Sequence, residues 1–358
     1  MIATNGSASS YSKGDPCDHH QQNGKTKSHL ETSTATTAAN YANGISNHHH
    51  KHLRSHESSS SHAEHENSMS MSSSANFDLN ALEIKHDGSD GDSQLLNRVD
   101  SSTVLFITGG GSGLGEATAR RFSKLGARIS IFDIKSSADK LVLAFGADKC
   151  LFTQGDVNND EELSDAIDAT IKKFGKISLN VNCAGIGSHS LLYDSKRDKM
   201  HSEKSFYNVL KVNLIGTFNA MRYCSKAMAK NGGTVQNGSG GVIINTGSIS
   251  GSDGQSGQLA YCASKGGLES MTLPAARDLA SLGIRVVTIS PGFFDTPLLR
   301  QAPEQYVNQI PKNIALCPKR LGHPDEYAHL VQSIYENPML NGTVIRLDSG
   351  SRLPASMF

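Results

Sequence analysis

An apolar run that breaks off into glycines constrains this chain more than any other feature. Val104-Leu-Phe-Ile107 is β-branched and aromatic, Thr108-Gly-Gly-Gly-Ser-Gly-Leu-Gly115 follows at once, and Gly113 to Leu125 then carries helical spacing until Gly126 stops it. Strand, tight turn and helix in succession make one βα unit. Arg128-Ile-Ser-Ile-Phe132 then ends at Asp133, Cys150-Leu-Phe-Thr153 ends near Asp156, and Ile177-Ser-Leu-Asn-Val181 ends at Asn182. Glu161 to Phe174 supplies a helix between the third and fourth runs, and Val242–Asn245, Ile284–Ile289 and Val344–Leu347 bring the strands to seven. Such alternation predicts an α/β fold: a seven-stranded, doubly wound parallel sheet with helices on both faces. Right-handed crossovers then gather the polar strand ends along one edge, where open sheets of this kind bind ligands.

Residues 1–100 follow different rules. They are dominated by Ser, Thr, Asn, His and Gly, lack a sustained helical or strand period, and cannot bury a core, so a disordered extension is expected there and one folded domain over 101–358. The extension holds 7 Lys/Arg against 12 Asp/Glu, so the even balance of 34 and 34 in the whole chain hides a mildly acidic tail and a mildly basic body. Neither imbalance calls for a nucleic-acid partner. Eleven of the 15 histidines lie in the tail, including His48-His-His-Lys-His52, but a flexible His/Ser tract lacks the preorganised outer shell of a metal site, and no metal is expected. The 6 cysteines are widely spaced, without a Cys-x-x-Cys pair, which argues for a reducing compartment rather than a disulfide framework. No stretch reaches the roughly 18 consecutive apolar residues of a membrane helix.

Chemistry enters at the strand ends. Gly109, Gly113 and Gly115 let the backbone approach a pyrophosphate, and the helix behind them offers free N–H groups and the positive end of its dipole. Asp133 closes the second strand 20 residues after Gly113, where an acidic side chain accepts from ribose hydroxyls and repels a 2′-phosphate; with Ser112 rather than a basic residue before Gly113, NAD is favoured over NADP. Lys135 reads as a solvated surface charge. Tyr261 and Lys265 stand four apart at the start of a helix and share a face, so the ammonium is expected to lower the phenol from its ordinary value of about 10 and make it a usable base. Ser248, just past the fifth strand, can donate to a substrate oxygen, and Asn213 can complete a proton path.

These residues, with Asn182-Cys-Ala-Gly185, Pro291-Gly292 and Thr296, resemble the short-chain dehydrogenase/reductase family over essentially the whole body. Within that family, Arg320-Leu-Gly322, Glu326-Tyr-Ala328 and Asn341-Gly-Thr-Val-Ile-Arg-Leu-Asp348 are similar to its mitochondrial 3-hydroxyacyl-CoA dehydrogenases. The resemblance implies a Rossmann-type domain binding NAD. Ser112 and Leu114 would line the pyrophosphate, Asp133 the ribose, Asp156 and Val157 the adenine, Cys183 the ribose side, and Phe294 and Thr296 the nicotinamide, with Asn182, Ala184, Gly185 and Pro291 also binding the cofactor. Tyr261 would be the acid/base, Lys265 would hold the nicotinamide ribose, Ser248 would orient the substrate, Asn213 would anchor a water relay, and Gln258 would face the substrate.

The activity implied is NAD-dependent oxidation of a secondary alcohol, 3-hydroxyacyl-CoA first and hydroxysteroids next. Lys196, Arg197, Lys199 and Lys204 are candidates for the anionic CoA nucleotide. Two alternatives remain: a scaffold for mitochondrial transfer-RNA processing that binds a transfer-RNA methyltransferase, and an NADPH-dependent 3-oxoacyl reductase, which Asp133 disfavours. A homotetramer and a mitochondrial location are also implied, with a cytoplasmic one as the alternative because the long extension lacks an Arg-rich, acid-poor leader.

Overall fold

The computed structural model describes residues 97–233 and 238–355. Nearly all of the extension, including the His48–His52 cluster, lies outside the described residues.

The first half runs β1 (Val104–Thr108), α1 (Gly113–Lys124), β2 (Arg128–Asp133), α2 (Lys140–Phe145), β3 (Cys150–Gln154), α3 (Asp160–Phe174) and β4 (Leu179–Asn182). After a short hairpin, β5 (Tyr193–Asp194) and β6 (Lys199–Met200), come α4 (Glu203–Leu210) and α5 (Gly216–Met228). The chain then passes through β7 (Gly241–Thr246), α6 (Leu259–Leu279), β8 (Ile284–Pro291), α7 (Glu304–Asn313), α8 (Pro324–Glu336) and β9 (Thr343–Leu347). Seven strands form one sheet in the order β3-β2-β1-β4-β7-β8-β9, every pair parallel. The winding reverses between β1 and β4, and that switch point opens the ligand crevice.

Alternation within each strand builds the two cores. Leu105 and Ile107 of β1 pack with Ala119 and Phe122 of α1 and Tyr327, Val331 and Ile334 of α8. Phe106 between them points the other way, to Leu163 and Ala166 of α3, Cys224 of α5 and Ala276 of α6. Both faces are therefore covered, which is why these strands read as continuous apolar runs rather than alternating ones. α3 is delimited locally: Asn159 Oδ1 accepts from the N–H groups of Glu161 and Glu162, and Gly175 ends the helix at φ 86°.

All seven expected strands are present. β4 starts two residues later than the apolar run implied, and the hairpin after it was not foreseen. Between α4 and α5 the chain takes one π-helical turn at Lys211–Ile215, where Thr217 Oγ1 donates to the Asn213 carbonyl at 2.9 Å.

β8 also anchors the end of α8. Arg285, 3% exposed, sends its guanidinium to the carbonyls of Ile334, Tyr335, Asn337 and Leu340 at 2.7–3.1 Å. One side chain thus satisfies a helix C-terminus and the turn into β9. Burial brings its pKa down to about 10, so it stays charged at neutral pH. Arg285→Leu strands those acceptors, and the expected loss of about 3 kcal/mol or more should lower the urea midpoint at unchanged slope.

Candidate active site

The glycine-rich turn brings backbone where no side chain fits. A Cβ on Gly115 would lie 2.2 Å from the Gly109 carbonyl oxygen, and Gly109 and Gly113 hold φ of 66° and 56°. Ser112 occupies the N-cap of α1 without a side-chain cap bond, so the first-turn N–H groups remain for a ligand. Asp133 at the end of β2 is 7% exposed and doubly anchored: the Gly111 N–H donates to Oδ2 at 2.8 Å and the Lys135 N–H to Oδ1 at 2.9 Å.

On the other side of the switch point, β7 ends at Thr246 and Ser248 follows. Ser248 Oγ accepts from the Ser250 N–H at 3.1 Å and also hydrogen-bonds Tyr261. The first turns of α6 carry Tyr261 and Lys265. Lys265, 5% exposed, donates from Nζ to the Thr246 carbonyl at 2.7 Å and lies 5.6 Å from the Tyr261 ring centre.

Both halves face one cleft of about 850 Å³, running from Asp133 and Asp156 past the glycine turn to Ser248, Tyr261 and Gln258. Of the catalytic, cofactor-binding and substrate-orienting residues named from sequence, apart from the basic residues offered for a CoA nucleotide, all but Asn182 and Asn213 line it. Asn182 is buried beneath, where its Nδ2 reaches Asn180 and Asn245 at 2.9 Å each, tying the carboxyl ends of β4 and β7. Asn213 spends its amide on Ile186, accepting from its N–H at 2.8 Å and donating to its carbonyl at 3.0 Å, with a further bond to Ser264 Oγ at 3.1 Å. Its side chain therefore secures the loop after β4. A nicotinamide dinucleotide fits what is present: uncapped amides for a pyrophosphate, a fixed carboxylate for a ribose, and a tyrosine–lysine pair at the far end.

The profile of the short chain dehydrogenase family matches residues 103–307. The chain belongs to this family. It is 47% identical over 250 residues to 3-hydroxyacyl-CoA dehydrogenase type-2 of Homo sapiens, covering 70% of this chain and 95% of that one. The protein of the same name from Drosophila melanogaster is 44% identical over 252 residues, covering 70% and 98%. A crystal structure of 3-hydroxyacyl-CoA dehydrogenase type-2 from Mycobacterium avium superposes with a TM-score of 0.66 at 33% identity, over 71% of this chain and 97% of that one. The chain is thus an oxidoreductase of the short-chain dehydrogenase family.

Two expectations need correction. The phenol of Tyr261 is pushed up, not down: burial is the dominant cause, the Ser248 hydrogen bond offsets part of it, and Cys262 adds to it. Lys265 is itself driven toward its neutral form, to about 8, because the same burial removes water from the ammonium. The basic residues offered for a CoA nucleotide do not line the cleft: Lys196 and Arg197 sit in the β5–β6 turn, Lys199 on β6 and Lys204 in the first turn of α4. Sequence reasoning also passed over cleft residues His189 and Gln255, which lie in polar loops without a motif, and Thr246, whose only signal is its place two residues before Ser248.

A lysine held at about 8 rather than 10.5 carries a folding cost at neutral pH of roughly 3 kcal/mol at most. Below pH 8 both folded and unfolded chains hold the proton and the cost is full; between about 8 and 10.5 the folded state sheds it first and the cost is relieved. Lys265→Met should therefore raise the denaturant midpoint at pH 7, and its advantage over the wild type should shrink as pH climbs through that window.

Proposed function

We propose that this short-chain dehydrogenase uses NAD to interconvert a secondary alcohol and a ketone, with 3-hydroxyacyl-CoA and 3-oxoacyl-CoA as the substrate pair. The observation that carries the reading is the convergence of Ser248, Tyr261 and Lys265 on one cleft whose opposite end is closed by an anchored Asp133. The names of the relatives at 44–47% identity supply the acyl-CoA substrate class.

The dinucleotide, when bound, supplies the hydride acceptor for the oxidation. The amides of the α1 N-terminus, flanked by Ser112 and Leu114, would hold its pyrophosphate, Asp133 the adenosine ribose, and Thr296 in the loop after β8 the carboxamide end. Tyr261 removes the alcohol proton at its phenolic oxygen and returns it in reduction. Ser248 donates to the same substrate oxygen as negative charge develops there. Lys265 would supply positive charge beside the phenol, while burial opposes the phenolate and the Ser248 hydrogen bond offsets part of that burial. Asn213, through Ile186 and Ser264, keeps the loop after β4 and the first turns of α6 in register; Ser264 Oγ in turn donates to the Tyr261 carbonyl at 2.7 Å. A homo-oligomer belongs to this reading: Tyr207 of α4, Phe218 of α5 and Leu273 of α6 are large apolar side chains left 67%, 45% and 44% exposed.

Initial rates of acetoacetyl-CoA reduction with NADH and NADPH test the proposal. Tyr261→Phe is expected to lower kcat by about 10²–10⁴ with the fold intact by circular dichroism. Asp133→Ala should raise the NADPH rate relative to NADH. A wild-type enzyme that preferred NADPH, or a Tyr261→Phe variant of full activity, would sink the reading.

A further inference from the structure

Thr246 is approached from both faces of the sheet. From one face, Lys265 on α6 places its amine 2.7 Å from the Thr246 carbonyl oxygen. From the other, Tyr327 on α8, fully buried, places its hydroxyl 2.8 Å from Thr246 Oγ1. Cys183 Sγ lies 3.4 Å from Thr246 Oγ1 as a second partner, and the hydrogen of the shorter Thr246–Tyr327 pair can come from either oxygen. Tyr327 also lies 3.8 Å from that sulfur, closing a triangle of three polar atoms under the cleft floor that Thr246 and Cys183 line. Burial keeps the Tyr327 phenol well above its ordinary range, so it stays protonated at every working pH.

With its hydroxyl bonded to the buried Tyr327 and in reach of Cys183, Thr246 cannot change rotamer without stranding a buried partner, and the residue that carries the carbonyl at the end of β7 is held in place by it. That carbonyl is the acceptor that holds the Lys265 amine. We infer that Tyr327, through Thr246, is a positioning residue for Lys265, setting where the amine stands in the cleft and how readily it keeps its proton. The inference rests on the dehydrogenase reading for its kinetic consequence, not for its effect on cofactor affinity.

Helix α8 carries its own control. Tyr335 is a second, partly buried tyrosine on that helix, its hydroxyl 3.4 Å from Thr103 Oγ1 at the amino end of β1, away from the cleft. A purely structural tyrosine–threonine contact should behave alike at either place.

The test compares Tyr327→Phe, Thr246→Val and Thr246→Ser with Tyr335→Phe. NADH affinity is read from its fluorescence on binding, and the pH profile of kcat/KM from acetoacetyl-CoA reduction. Tyr327→Phe and Thr246→Val should weaken NADH binding about three- to tenfold, the size of one net hydrogen bond. They should also move the limb that reports the tyrosine–lysine pair by about half a pH unit or more. Thr246→Ser, which keeps the hydroxyl, should restore both values, and Tyr335→Phe should move neither. Tyr327→Phe matching Tyr335→Phe in affinity and in profile overturns the inference. A wild type that binds NADH but reduces no acyl-CoA removes the functional reading instead, while the binding comparison still decides the role of Tyr327.

Discussion

A buried amine is the constraint around which this site is arranged. Lys265 is 5% exposed, and no carboxylate among the described residues pairs with it; the hydrogen bond shown for its amine is to the carbonyl of Thr246. Taking an ammonium out of water without a counter-charge is costly, and the depression of its pKa to about 8 expresses that cost. Such a position persists only if the surrounding structure overdetermines it. α6 must begin where its first turns bring Tyr261 and Lys265 to the cleft, β7 must end with its carbonyl aimed at the amine, and both are held by contacts that reach beyond the cleft.

The sheet edge supplies that rigidity. The Asn180, Asn182 and Asn245 amides form a buried ladder linking β4 to β7, with the Thr108 hydroxyl of β1 joining at 3.4 Å. Buried and mutually satisfied, these side chains fix strand ends that would otherwise fray into loops. The glycine turn does the converse, letting β1 and α1 come together with nothing between them: the Gly115 Cα is so close to the Gly109 carbonyl that any side chain would collide. Above this floor the loops after β4, β7 and β8 carry groups that can vary without disturbing the sheet.

The sheet was legible because both faces are covered. Runs such as Ile284–Pro291, buried at every position, have no solvent side to interrupt them, and glycines bound this one at both ends. The Tyr-x-x-x-Lys pair was legible because helical spacing alone places both side chains on one face. The hairpin at 193–200 was not: two residues per strand, mostly exposed, leave no period. The direction of the Tyr261 shift was not either, since spacing reports a neighbouring charge while burial, which no spacing shows, is the larger effect here. Asn182 was named through the family resemblance; that its amide turns into the sheet, to Asn180 and Asn245, was not legible in the motif. Tyr327 reads in sequence as one more apolar position of an amphipathic helix; only the fold reveals that its hydroxyl reaches Thr246.

The proposed preference for NAD over NADP turns on two charges of opposite sign at the end of β2. Asp133 is buried and both its oxygens are fixed by backbone N–H groups, so it cannot rotate away from an incoming 2′-phosphate. Lys135 also lines the cleft but is exposed and long, free to extend into water. At a separation of about 4 Å a pair of unit charges interacts by about 1 kcal/mol in bulk water and about 4 kcal/mol at an effective dielectric near 20. Repulsion from the buried carboxylate is weighted toward the larger figure, attraction to the solvated ammonium toward the smaller, and salt screens the second far more than the first. On this proposal the carboxylate outweighs the ammonium, because the turn at Gly111 commits an N–H to holding it in place.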